Sequence, residues 1–239
     1  MKPMGLTIEA LPAGLLALPA NVLACRQIDQ LEPQLARAFG ADLSRHRSLG
    51  LVTADSDDAL YVALDHATKQ AEVEVVFAKS FYAGARHASG PFSGEVIGLL
   101  GGEHPEHVAD ALWAVRESLQ DGIQFHTFEG QNQPAFFAHV IGETGRYLSV
   151  EAGIDPGAPM AYLIAPPLES VVGVDAALKA ADVRIVKSIL PPSETNFGGA
   201  FLAGDLAALE AAAVAFVEAI RAVSERPLAA LRRPDRLRR

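Results

Sequence analysis

The hydrophobic pattern of this chain occurs twice. Two stretches, beginning at Asp65 and at Asp175, share the pattern D-x-A-x-K-x-A-D/E-V. Each follows a short apolar run typical of a buried strand and precedes two more such runs, the second of them rich in glycine. The predicted strands are 49–53, 73–77 and 95–100 in the first copy and 161–165, 183–186 and 199–203 in the second. This spacing predicts two similar units in tandem.

A long amphipathic helix is expected to close each unit. In the first unit, apolar residues recur at helical spacing between Val108 and Leu119, and Pro105 suits the first turn. In the second, the same spacing runs from Leu206 to Val223, with Asp205 as a plausible N-cap. Strand–helix–strand–strand–helix is the order of a split βαβ unit. The expected fold class is α/β (α+β, ferredoxin-like).

The domain limits follow from the repeat and from polar stretches. We expect a first domain over residues 1–128, a second over 129–225 and a basic C-terminal tail over 226–239. Residues 5–40 and 135–150 are expected to add a strand and a helix to the first and second domain. The tail holds six arginines and either binds acidic cargo or aids solubility.

Composition narrows the class of protein. The chain has 239 residues, half of them hydrophobic, which is enough for a packed core. A net charge of −9 argues against nucleic-acid binding. The single cysteine, Cys25, excludes an internal disulfide and fits a reducing cytosol. No apolar run is long enough for a membrane helix, and no signal peptide is expected.

The residues that could bind a ligand or catalyse a reaction lie mainly in an acidic run and in two loops. The run 53–58 either caps a helix through Ser56 or Asp57, or forms a carboxylate cluster that binds a small cation. Loops 80–93 and 190–199 occupy matching places in the two units, which suggests a shared purpose. The pattern 103–107 is a helix start rather than a metal site, and no nucleotide-binding or triad motif occurs. An enzyme is therefore disfavoured, and neither a metal nor a cofactor is expected.

Several blocks of this sequence, in order, resemble the bacterial microcompartment shell family. The similarity is to the tandem-domain shell proteins of ethanolamine-utilisation compartments and covers about residues 47–202. The blocks are RSLGLVTADSDDALY, DHATKQAEVEVVFAKSFYAGA, GEVIGLLGG, GRYLSVEAGI, PMAYLIAPPLE, VDAALKAADV and PPSETNF. The resemblance implies two circularly permuted shell domains per chain. It also implies a homotrimer shaped as a flat pseudo-hexamer, which tiles with other shell proteins.

The resemblance also implies roles for individual residues. Lys69 and Lys179 would lie at the assembly edge. The two loops would form a central pore and its gate, with Gly84, His87, Gly90, Gly198 and Gly199 as their notable residues. Ethanolamine would bind near the pore through Asp57, Asp58, Glu95, Phe125, Ser193, Glu194 and Thr195. Carboxylates can pair with its ammonium group, and Phe125 can offer a π-face. Cobalamin binding has been linked to the family, but no motif here establishes it.

Three other functions remain open at this stage. The chain could be a shell tile of another compartment type, with a different metabolite in the same pocket. It could be a static tile without a gate. It could also be a small acid/base enzyme that uses Asp57, Asp58 and Glu95.

Overall fold

The structure, a computed structural model, describes residues 11–81, 95–190 and 197–228. Within these ranges the strands are β1 (Leu15–Pro19), β2 (Val22–Ile28), β3 (Ser48–Ala54), β4 (Val73–Phe81), β5 (Glu95–Gly102), β6 (Gln124–Phe128), β7 (Phe137–Ile141), β8 (Met160–Ala165), β9 (Arg184–Ile189) and β10 (Gly198–Ala203). The helices are α1 (Pro33–Phe39), α2 (Asp57–Gln70), α3 (Pro105–Gln120), α4 (Arg146–Ala152), α5 (Pro167–Ala180) and α6 (Leu206–Glu225).

Two four-stranded antiparallel sheets have the same strand order. The first runs β2-β3-β5-β4 and the second β7-β8-β10-β9. In both, the first and second strands pair, the fourth pairs with the second, and the third lies at the edge. The tandem repeat and the α/β fold class predicted from the sequence are therefore confirmed. The domain limit at residue 128 stays a prediction.

A pair of helices packs on each sheet. In the first half these are α2 and α3, and in the second half α5 and α6. Helix α3 begins with Pro105, and α6 begins after Asp205, whose carboxylate accepts the backbone N–H of Ala208 at 2.8 Å. Both helix starts were predicted. None of the described helices is long and apolar enough to cross a membrane.

Helices α1 and α4 occupy equivalent places in the two halves. Both end at a glycine in the left-handed region, Gly40 and Gly153. Their hydrogen bonds correspond as well, because Ala41 N–H donates to Ala36 just as Ile154 N–H donates to Ser149. Their beginnings differ. Glu32 caps α1 with its own carboxylate, whereas Gly145 brings no side chain to the start of α4.

One of the hydrophobic core clusters spans both halves. It includes Leu60 and Leu64 from the first half together with Phe137, Tyr162 and Phe201 from the second. Strand β1 pairs with β6 in a separate two-stranded ribbon. The strands and helices that carry the candidate site therefore meet where the halves join.

Candidate functional site

Two buried carboxylates begin helix α2. Asp57 and Asp58 are only 4% and 5% exposed. They are the first two residues of α2, which begins shortly after β3 ends. Ser56 occupies the N-cap position, which is one of the two caps that the sequence predicts. Its side chain makes no capping hydrogen bond, however. Instead, Asp57 Oδ1 accepts the backbone N–H of Asp58 at 2.9 Å. The helix start thus places two neighbouring acids out of contact with bulk water.

Asp58 is bound from the other half of the chain. The hydroxyl of Tyr162, on β8, donates to Asp58 Oδ1. The Tyr162 ring is held edge-on by Phe137 and Phe201, with centroids 5.3 and 4.3 Å away. Burial, and then the charge of Asp57, raise the pKa of Asp58 well above its usual range, while the Tyr162 hydrogen bond lowers it. Asp58 therefore favours a bound proton or another cation.

Phe125 lies in strand β6 and is fully buried. Its ring centroid is 5.2 Å from that of Phe137 and 5.9 Å from that of Phe197. Phe197 comes two residues after Thr195 in the sequence, and its ring contacts that of Phe125. Ser193, Glu194 and Thr195 themselves lie outside the described residues, and their roles stay predictions.

The remaining predicted site residues are distributed around the sheets. Glu95 begins β5. Its neighbour Val96 pairs with Ala54, the last residue of β3, and Ala54 is close in sequence to Asp57 and Asp58. Gly198 and Gly199 are the first residues of β10 and pair with Ala165 and Ile164. They belong to a strand rather than to a loop. Gly84, His87 and Gly90 lie outside the described ranges.

A second polar cluster joins the halves through Asp65 of α2. Its carboxylate accepts three backbone N–H groups at the start of α4, from Gly145 at 2.6 Å, Tyr147 at 3.1 Å and Leu148 at 2.8 Å. Asp65 therefore caps a helix that has no side-chain cap of its own. Burial raises the pKa of Asp65, and these N–H groups oppose that rise.

The residues flanking Asp65 extend this contact. Thr68 Oγ1 accepts the backbone N–H of Arg146 at 3.0 Å. Lys69 Nζ donates to the carbonyl oxygen of Glu143 at 2.7 Å. We name this contact, between residues 61–69 of α2 and residues 143–148, the internal joint. Sequence analysis singled out Lys69 but missed Asp65, although both belong to the repeated pattern.

Lys179, the repeat equivalent of Lys69, has different surroundings. Its ammonium pairs with Asp175 at 2.6 Å, one turn away on the same helix. Both side chains are largely exposed. The same motif therefore forms a joint in the first half and lies on an open surface in the second.

The described residues offer no metal site. No group of three or more histidine, cysteine, aspartate or glutamate side chains in those ranges is arranged to hold an ion. His104 occupies the N-cap position of α3, as expected for a helix start. The pattern at 103–107 is thus part of a helix terminus.

Comparison with known proteins identifies the family. A model of the BMC domain matches residues 48–131. The bacterial microcompartment shell protein EutL of Salmonella typhimurium is 49% identical over 209 residues, which are 87% of this chain and 94% of that protein. The chain belongs to the EutL family of bacterial microcompartment shell proteins. The resemblance inferred from the sequence is thereby confirmed.

Solved structures of EutL proteins have the same fold as this chain. The structure of EutL from Clostridium perfringens has a TM-score of 0.85 at 45% identity and covers 90% of this chain and 97% of its own. The ethanolamine utilization protein EutL from Leptotrichia buccalis has a TM-score of 0.84 at 48% identity, covering 89% and 97%. As a EutL-family member, the chain is a component of a microcompartment shell.

Proposed function

We propose that this chain is a non-enzymatic shell tile that binds ethanolamine and controls a small central pore. It assembles as a homotrimer with the outline of a hexamer, alongside other shell proteins. Lys179 lies on an assembly edge, whereas Lys69 contacts Glu143 within the chain. The loops predicted within 80–93 and 190–199 line the pore and act as its gate, the second of them ending at Phe197 before β10 begins. The observation that carries the proposal is the buried Asp57–Asp58 pair where the two halves meet, with Phe125 linked to Asp58 through the rings of Phe137 and Tyr162.

The carboxylate pair suits a small cation that also has a polar group. Two adjacent buried acids cannot both be charged without a compensating positive charge. Ethanolamine offers an ammonium group for the carboxylates and a hydroxyl for neighbouring polar atoms, while an aromatic ring stabilises a cation at its face. Asp57, Asp58 and Glu95 supply the acids, and Phe125 supplies the ring. Ser193, Glu194 and Thr195 complete the pocket from the loop.

This pocket occurs once per chain. At the repeat-equivalent positions of Asp57 and Asp58, helix α5 carries Pro167 and Leu168. The second half therefore lacks the acids that would bind an ammonium group. We expect one ethanolamine per chain and three per trimer.

Ligand binding is coupled to the gate through the loop that ends at Phe197. The loop contributes Ser193, Glu194 and Thr195 to the pocket, and its last residue packs on Phe125. A ligand that contacts these residues in one loop conformer only will shift the population towards that conformer. Ethanolamine therefore favours the closed pore.

Calorimetry tests the ligand and its chemistry. Wild-type protein is titrated with ethanolamine, with ethylamine, which lacks the hydroxyl, and with ethylene glycol, which lacks the ammonium. We expect saturable heat at one site per chain for ethanolamine, weaker binding of ethylamine and none of ethylene glycol. Asp58→Asn and Glu194→Ala should weaken binding at least tenfold, the order expected for one charge-assisted hydrogen bond. Asp110→Asn, an exposed acid in α3, is the matched control. No heat with ethanolamine refutes the ligand assignment.

Proton release gives an independent check on the site. Because burial raises the pKa of Asp58, an ammonium group that binds there displaces a proton. Titrations in buffers of different ionisation enthalpy should then report protons released, and affinity should fall as the pH falls. Unchanged affinity across pH would place the ligand away from Asp58. Light scattering on the same samples tests assembly, since three chains of 25.3 kDa are expected.

A further inference from the structure

We infer that residues 229–239, the arginine-rich end of the chain, dock on the outer face of helix α3 around Trp113. The segment that docks belongs to the same chain. This outer face carries three carboxylates and one indole, and we name it the acidic face: Glu106, Asp110, Trp113 and Glu117. The inference does not depend on the ligand or the pore proposed above, and it gives the basic tail a partner.

The packing of α3 leaves the acidic face in solvent. The inner side of the helix lies against α2 and the first sheet, and Val108, Ala111 and Val115 are fully buried there. These residues recur at helical spacing, so the positions between them face outwards. Trp113 is 57% exposed, although tryptophan side chains are highly buried on average. Tryptophan is also enriched at the centres of binding surfaces.

The acidic face occurs in only one half of the chain. Helices α3 and α6 occupy equivalent places, and counting from their first residues, Pro105 and Leu206, matches the buried Val108 with the buried Leu209. Three outward positions differ between them, and a smaller apolar residue replaces an acid or the indole: Glu106, Asp110 and Trp113 in α3, and Ala207, Ala211 and Val214 in α6. The fold itself therefore does not require acids and an indole at these positions.

The tail complements the acidic face in charge and in chemistry. Residues 229–239 hold five arginines and one aspartate. The guanidinium of Arg116, on α3 itself, already lies over the Trp113 ring, with its central carbon 5.5 Å from the ring centroid. A guanidinium pairs with carboxylates and also stacks on aromatic rings. The arginines of the tail can therefore use both kinds of group that the acidic face offers.

The spacing of the charges matches as well. Asp110 and Glu117 lie about 10 Å apart along the helix, with Trp113 between them on the same face. In the polyproline II conformation, which a proline favours, residues three positions apart lie on one side and about 9 Å apart. Arg233 and Arg236 have this spacing. A tail that approaches from the C-terminal end of α3 brings Arg233 to Glu117 and Arg236 to Asp110.

The tail of the same chain is long enough for this contact. The ends of α6 and α3 flank strand β6, because Arg221 of α6 lies 5.1 Å from the ring centroid of Phe128 at one end, and α3 leads into Gln124 at the other. A strand of this length spans about 17 Å. Residues 229–239 extend up to about 36 Å. The tail therefore reaches across the ribbon to the last two turns of α3.

The covalent connection makes weak contacts sufficient. Exposed ion pairs stabilise a contact only slightly, and salt screens them. A segment that is tethered near its binding surface, however, has an effective concentration in the millimolar range. We therefore expect docking at low ionic strength and release at high ionic strength. The docked tail neutralises the acidic face and competes there with other cationic partners.

Fluorescence of Trp113 tests the inference, because the chain has no other tryptophan. Quenching by acrylamide, a neutral reagent, is compared between the wild type and a full-length variant in which the five arginines of 229–239 are replaced by glutamine. At low salt the quenching constant of the wild type should be about half that of the variant, since docked guanidinium groups cover the indole. A salt concentration of about 1 M should remove the difference. Equal quenching at low salt overturns the inference.

A single substitution on the helix tests the same contact from its other side. Glu117→Gln should raise the low-salt quenching constant towards that of the tail variant, because Arg233 loses its carboxylate. Glu218→Gln is the matched control, since Glu218 is the exposed equivalent of Glu117 on α6. Equal effects of the two substitutions would show that overall charge, and not the acidic face, holds the tail, and would overturn the assignment.

Disulfide trapping identifies which tail occupies the acidic face. In a Cys25→Ser background, Glu117→Cys with Arg233→Cys should form a link within one chain under oxidation. The control pair, Glu218→Cys with Arg233→Cys, should link more slowly. Electrophoresis without reductant separates links within a chain from links between chains. Links between chains alone would assign the face to the tail of a neighbouring copy and overturn the inference, and so would equal rates for the two pairs.

Discussion

Substitution of Gly145 by alanine should weaken the internal joint between the two halves of the chain. Gly145 precedes α4 with φ −81°, a conformation that any residue adopts, so space and not backbone strain decides its effect. A Cβ there would lie against the Asp65 carbonyl oxygen, 2.5 Å from Thr68 Oγ1 and 2.7 Å from Asp65 Oδ1. Contacts of this length are not tolerated, and the neighbours are a helix backbone and a buried acid. The start of α4 must therefore move away from α2.

The loss in free energy of unfolding can be estimated from the hydrogen bonds that this movement lengthens. Asp65 accepts N–H groups at 2.6, 3.1 and 2.8 Å. Hydrogen bonds to a charged group contribute about 1.5–3 kcal/mol each, and if they weaken together without breaking fully the loss is about 3 kcal/mol. With a urea m-value of about 3 kcal/mol per M, the unfolding midpoint should fall by about 1 M.

Gly142→Ala is the matched control for this experiment. It lies in the same connection between β7 and α4, and a Cβ there would meet nothing within 4 Å. Both variants remove the same amount of backbone freedom from the unfolded chain, so that effect cancels. They are compared by urea unfolding at one protein concentration, because assembly also stabilises the fold. Equal midpoints for the two variants would refute the role given to the joint.

Three further predictions concern the core. Burial lowers the pKa of His139 to about 4, so its neutral ring contributes stability above about pH 6.5 that is lost as the pH falls towards 4. Because His139 is only partly buried as a residue, the loss is about 2 kcal/mol. It should be absent from pH-dependent melting curves of His139→Gln, and equal curves for the two proteins would contradict it. Tyr162→Phe should cost about 1–2 kcal/mol at a pH where Asp58 is charged and less at a lower pH, because a protonated Asp58 needs the hydroxyl less. Urea midpoints that shift equally at both pH values would argue against that bond. Gly173→Ala should destabilise the chain by about 1–3 kcal/mol, because a Cβ would lie 2.6 Å from Phe216 Cδ2; an unchanged melting temperature would show that α5 and α6 separate easily.

The elements were predictable from the sequence because the repeat supplies the same signal twice. Buried runs such as 161–165 and helix starts such as Pro105 and Asp205 are local features. They depend on side chains within a few residues of each other. Each strand or helix start that is seen in one half of the sequence is also seen at the equivalent position of the other half, which strengthens its assignment.

The joint could not be predicted in the same way. Asp65 binds backbone N–H groups about 80 residues further along the chain, and a backbone donor has no residue type to recognise. Gly145 was the one available signal, as a glycine that precedes a helix without a capping side chain. Gly198 and Gly199 illustrate a different difficulty. The sequence assigns Gly199 both to the end of a loop and to the start of the strand 199–203, and pairing with β8 makes both glycines part of the strand.

Strand β1 has a consequence for the order of events during synthesis. Leu15 pairs with Phe128, so the partner of β1 leaves the ribosome only after 113 further residues. At about 5–20 residues per second, the strand stays unpaired for roughly 6–23 s. During this interval the sheet β2-β3-β5-β4 can already form behind it. The ribbon therefore closes late, and a nascent chain displays the apolar segment LLALP to the cell until β6 emerges.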